Sequence, residues 1–135
     1  MKKALVINYF KIIIVIILIS NVNISFSQSF RGLAVLSEYE IWTSGSKGTV
    51  LFTKNSGISY DTLNPIGFSR KDFRDIHAVN NQIAIIMSAG DSAVILKTTN
   101  HGKTWKTVYS DNRPGIFLDV LEINSQTGVG IALGD

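Results

Sequence analysis

The feature that most restricts how this chain can fold is a turn that it carries twice. Thr53–Tyr60 reads TKNSGISY and Thr98–Trp105 reads TTNHGKTW, so Thr, Asn, Gly, a hydroxyl residue and an aromatic recur at the same offsets, 45 positions apart. That spacing belongs to propeller blades and solenoid units. Other segments follow the same rhythm. FRGLAVL at Phe30, FRDIHAV at Phe73 and FLDVLEI at Phe117 open successive units, while IWTSG, IMSAG and GIALG end on Gly45, Gly90 and Gly134. The chain divides into repeats at about 30–66 and 73–111, and the opening part of a third at 117–135.

Within the second unit, four runs have strand character: Asp75–Val79, Ile83–Ser88, Ala93–Thr98 and Thr104–Tyr109. Each is rich in β-branched, aromatic or alternating residues and is bounded by Asn, Gly, Asp or Ser. No comparable stretch combines helical periodicity with caps. Four antiparallel strands in about 40 to 45 residues make the blade of a β-propeller. A sheet that is apolar on both faces must be covered on both, so the blades pack against one another around an axis. The expected fold class is all-β, a propeller of four-stranded antiparallel blades, with about two and a half blades present. Propellers have roughly four to eight blades, so the sequence reads as the N-terminal part of a longer one.

The first 27 residues stand apart from the repeats. Met1, Lys2 and Lys3 form a basic start, Ile12–Ile19 is an unbroken aliphatic run, and Ser25 and Ser27 supply the small residues of a signal-peptidase site. The segment reads as a secretory signal cut before Gln28. The alternative, an uncleaved anchor, is disfavoured because Ala4–Ile19 is short of the roughly 20 apolar residues a span needs and contains Asn8 and Lys11. The expected product is exported, periplasmic or extracellular, and not membrane-spanning after cleavage. Charge then follows. Of the 13 Lys and Arg, Lys2, Lys3 and Lys11 leave with the leader, so basic and acidic residues balance at ten each. Nucleic-acid binding, which depends on clustered cations, loses its support. With no cysteine, neither disulfides nor a Cys-ligated metal can staple the fold, and packing must do so.

The repeated turn has a local chemistry of its own. Asn100 suits an Asx turn, Gly102 can adopt positive φ, Thr98 and Thr104 can tie their hydroxyls into the loop, and Trp105 can bury its ring while its N–H finds an acceptor. Thr53, Asn55, Gly57, Ser59 and Tyr60 repeat the set. This pattern resembles the Asp-box, or bacterial neuraminidase repeat, whose form is Ser/Thr-x-Asp-x-Gly-x-Thr-Trp. Here Asn55 and Asn100 replace the Asp, and Ser59 and Tyr60 replace the Thr and Trp of the first copy. The resemblance implies a structural staple between the third and fourth strands, on the outside of the propeller and away from its ligand face. Asn in place of Asp removes the carboxylate a metal would want, so no metal and no cofactor is expected.

Over essentially all of 28–135, the strings FRGLAVLSEYEIWTSGSKGTVLFTKNSG and DFRDIHAVNNQIAIIMSAGDSAVILKTTNHGKTW resemble exported propellers of the photosystem II assembly and stability factor type. The resemblance implies a non-catalytic scaffold that binds another protein. Sialidases also carry the box, and they hold substrate through arginines, one of them in an Arg-Ile-Pro motif. Arg31 precedes Gly32-Leu33 and Arg74 precedes Asp75-Ile76, so that motif fails after its first residue. Asp75, Asp91, Asp119 and Glu122 are the acids available for a glycosidase pair, and single acids at turns and strand ends are commonly solvated or capping groups. His77 and His101 have no second ligand at metal spacing. Two function classes remain: a protein-binding scaffold, and a sialidase-like glycosidase whose catalytic residues lie beyond the repeats seen here, with a glycan as the other possible partner. The binding residues expected are Arg31 and Arg74, in equivalent places just before the first strand of successive blades, near the mouth of the central channel, with Leu118 at that place in the third unit. Two adjacent guanidinium groups there would hold a carboxylate or an acidic segment.

Overall fold

The computed structural model describes residues 28–90, 92–113, 118–124 and 130–134. The expected leader Met1–Ser27, together with Asp91, Phe117 and Asp135, lies outside them. Ten strands form three antiparallel sheets, and the described residues contain no helix. The first sheet runs β1 (Phe30–Val35), β2 (Ile41–Gly45), β3 (Val50–Thr53) and β4 (Asp61–Thr62), each hydrogen-bonded to the next in sequence. The second repeats that order with β5 (Asp72–Ala78), β6 (Ala84–Ala89), β7 (Ala93–Thr98) and β8 (Lys106–Asp111), and the third pairs β9 (Leu118–Ile123) with β10 (Gly130–Gly134). These are blades of a β-propeller. The third expected strand of the second blade, Ala93–Thr98, is reproduced to the residue; the other three move by one to three positions at their ends.

Burial explains the apolar runs. Every residue of β6 is buried, because its alternate side chains enter two different cores. Ile86 joins Trp42, Val50 and Phe52 of the first blade with Phe73, Ile76, Val94 and Leu96 of the second. Ile85 and Met87 point the other way and pack on Leu121, Leu118 and Ile123 of the third, together with Ile95. A strand covered on both faces has no reason to alternate in polarity. The blades also touch at their innermost strands. A Cβ placed on Gly32 would come within 2.8 Å of the Ile76 nitrogen, so only a residue without a side chain lets β1 approach β5 so closely.

The third unit departs from the expected phase. Leu118 pairs with Gly134 as Phe73 pairs with Ser88, and Leu121 pairs with Ala132 as Ile76 pairs with Ile86. The counterpart of Phe73 is therefore Leu118, and Gly45 corresponds to Ser88 and Gly134, whereas Gly90 follows the end of β6. The reason is packing: this phase turns Leu118, Leu121 and Ile123 toward Ile85 and Met87, and one residue of slip would turn them away.

Candidate functional site at the inner-strand rim

Each inner strand begins with a β-bulge. Phe30 pairs with Gly45 and Gly32 with Ser44, leaving Arg31 without a partner across the ladder; Phe73 pairs with Ser88 and Asp75 with Met87, leaving Arg74 so placed. In the third blade Leu118 pairs with Gly134 and Val120 with Leu133, so Asp119 is the residue skipped. Sequence reasoning set the arginines just before the strands and gave Leu118 the third place. Both statements are corrected: the arginines lie inside β1 and β5, and Asp119 occupies the third position because the register is set by the buried leucines. A bulge re-aims the side chain it leaves unpaired, and here the same device presents a charge on three successive blades.

These charges meet one another. Arg74 Nε lies 2.7 Å from Asp119 Oδ1, and Arg31 Nε lies 3.0 Å from Asp72 Oδ1. The second contact is close but not aligned as a hydrogen bond, since that oxygen, itself buried, has no hydrogen-bond partner among the described residues. Both arginine side chains remain 42% exposed, so each guanidinium keeps donors facing water. Asp75 is fully engaged: Oδ1 accepts from Ile76 N–H and Oδ2 from Leu121 N–H, both at 2.8 Å, which ties β5 to β9. Of the four candidate catalytic acids, Asp75 and Asp119 thus serve inter-blade contacts, Glu122 lies 3.7 Å from His77 Nδ1, and Asp91 is outside the described residues.

The two repeated turns are built alike. Thr98 Oγ1 accepts from the N–H groups of Asn100 and Gly102 at 3.3 and 2.9 Å and donates to Asn100 Oδ1 at 3.0 Å. Asn100 in turn accepts from Thr104 N–H and donates to Thr104 Oγ1. Thr53, Asn55, Gly57 and Ser59 make the same five bonds. Gly102 has φ +69°, and a Cβ there would come within 2.8 Å of Leu63 Cβ on the preceding blade. Trp105 donates Nε1–H to Leu63 O at 2.9 Å and stands edge-on to Trp42, so the turn fastens a seam between blades as well as a hairpin. Tyr60, its counterpart, is exposed.

Sequence reasoning missed one part of this arrangement. The residue before each turn glycine, Ser56 or His101, also has positive φ, 56° and 57°. Ser56 bonds to Glu38 O and Tyr39 O, while His101 meets Asn81 O through Nδ1 and Gln82 O through its N–H, so each turn latches onto the β1–β2 or β5–β6 turn of its own blade. His101 also packs edge-on against Phe52 of the first blade, at 4.7 Å between ring centroids. A lone histidine in a polar turn carries no sequence signal for that contact.

No family model matches this sequence, and no curated protein matches it. A solved structure described as "YCF48 bound to D1 peptide", a β-propeller, is similar with a TM-score of 0.57 at 15% identity over 70% of this chain. The chain spans 30% of the length of that one. At such identity the likeness concerns the fold, and it agrees with the blade architecture.

Proposed function

We propose that the chain is the N-terminal portion of an exported, non-catalytic β-propeller that binds another protein, taking an acidic segment at the inner-strand rim through Arg31 and Arg74. The observation that carries this reading is the recurring bulge: an unpaired ladder position recurs on three blades and each time projects a charge. The structural likeness supports it, since the similar propeller is described with a peptide bound. An incoming carboxylate would engage the exposed guanidinium donors beside Asp72 and Asp119, where bidentate pairing is the strong geometry.

The test is binding of an acidic peptide at low salt, where charge contacts are strongest. Arg31→Ala and Arg74→Ala should each weaken it and the double variant more so, with melting temperatures nearly unchanged, because exposed ion pairs contribute only about 0 to 1 kcal/mol. Unaltered binding in the double variant removes both residues from the site. Export belongs to the same reading: the secreted protein should begin at or near Gln28 by intact mass, and a product retaining Met1–Ser27 refutes cleavage.

A further inference from the structure

A second concave site lies on the outer side of the molecule, in the seam between the first two blades. It is a cavity of about 170 Å³ lined by Asn64, Ile66, Lys103, Thr104 and Trp105. Both blades that form it are complete four-stranded sheets, so it does not arise from an unpaired end face. The indole is fixed in advance by its bond to Leu63 O and by packing on the aromatic core. Beside it, Ile66 is 96% exposed, an aliphatic side chain to which the fold gives no contact of consequence.

The polar side chains of the lining all carry donors. Asn64 Oδ1 already accepts from Val50 N–H at 2.8 Å, which leaves the amide N–H groups. Thr104 Oγ1 already accepts from Asn100 Nδ2 at 2.8 Å, which leaves its own O–H. Lys103 adds an ammonium with three donors and has no ion pair among the described residues. The side chains on the wall thus offer hydrogen-bond donors on Asn64 and Thr104 and a cation on Lys103, a set that suits a ligand presenting acceptors and negative charge. The apolar surfaces of Trp105 and Ile66 ask in addition for a compact group with C–H faces.

We infer that this seam binds the carboxylate-bearing ring of an acidic sugar, a uronic acid unit of a glycan. The cavity is smaller than the roughly 300 to 1,000 Å³ of a drug-sized site and suits a single ring. An extended peptide would ask instead for an open sheet edge or a continuous groove. The carboxylate meets Lys103, the ring hydroxyls accept from Asn64 and Thr104, and the C–H face lies against the indole.

The indole N–H resonances of the full chain, followed by NMR during titration with galacturonate, test this directly. Trp105 reports the site. The Trp105 signal should move and saturate in the millimolar range, about −4 kcal/mol, while glucose and acetate leave it in place. Lys103→Gln should weaken galacturonate by up to about fivefold, the order of one exposed charge contact, with the melting temperature unchanged, and Ile66→Ser should weaken it too. The inference is overturned if Trp105 does not move, if acetate or glucose moves it equally, if an acidic peptide does so better than the sugar, or if Lys103→Gln binds as well as the original.

Discussion

Replacing Thr98 by Val keeps the shape of the side chain and deletes one oxygen, which makes it the sharpest probe of the repeated turn. Thr98 is 1% exposed, and its Oγ1 accepts from the buried Gly102 N–H at 2.9 Å. Leaving that N–H without an acceptor costs about 1 to 3 kcal/mol, and losing the bond to Asn100 Oδ1 adds about 0.5 to 1.5, for roughly 1.5 to 4.5 kcal/mol in all. For a chain of this size the loss lowers the melting temperature by roughly 5 to 20 °C. Urea unfolding followed by tryptophan fluorescence measures it. Thr53→Val is the matched control: the same bonds break, but Gly57 is only half-buried, water replaces part of what is lost, and about 1 kcal/mol is expected. A Thr98→Val protein within about 0.5 kcal/mol of the original, or a Thr53→Val protein that suffers more, refutes the reasoning.

Gly102→Val should destabilise by roughly 2 to 5 kcal/mol in the same assay, combining the cost of positive φ with overpacking against Leu63, while acidic-peptide binding by the folded fraction stays unchanged. Arg113, hydrogen-bonded to Asp111, holds that carboxyl well below the ordinary value of 3.8. A depressed carboxylate stabilises above its unfolded value, and the contribution is lost as pH falls through the folded one; Arg113 is largely exposed to water, so the effect on stability is small. Carboxyl NMR should find Asp111 still ionised below pH 3.8 and returned toward that value in Arg113→Gln. The 135-residue chain should self-associate, because Leu33 and Val35 on one end of the stack and Ile131 and Leu133 on the other expose apolar faces. Leu33→Asp with Ile131→Asp should make it monodisperse by light scattering, and a cooperatively melting monomer without these changes refutes this.

The blade was legible because its signals are local. Thr, Asn and Gly at fixed offsets state a turn whatever surrounds it, and a short apolar run such as Ala84–Met87, bounded by turn residues, reads as a strand buried on both faces. Phase was harder to read in the third unit. Phe117 looked like the counterpart of Phe73, but phase is decided by which side chains reach Ile85 and Met87 across a blade boundary, and a string of letters does not display that neighbour. The rim suffered from the same blindness: Arg31 and Arg74 stood out by repetition, whereas Asp72 and Asp119 became part of the site only when adjacent inner strands brought them within ion-pair distance. The role of Asp75 was invisible for a related reason, since its second partner is a backbone N–H 46 residues away.

The bond from Trp105 to Leu63 points backwards along the chain, and this gives the architecture a direction in time. A blade made from its N-terminus is not fully fastened when its own fourth strand is complete; its outer edge is secured only after the turn of the following blade has been made and folded against it. Tyr60 holds the corresponding place in the first turn and meets no such carbonyl among the described residues. Each newly formed sheet is then the loosest member of the row until its successor arrives. Hydrogen exchange should peel the row from its most recently made end, with β9 opening before β6 although both contribute to the same core.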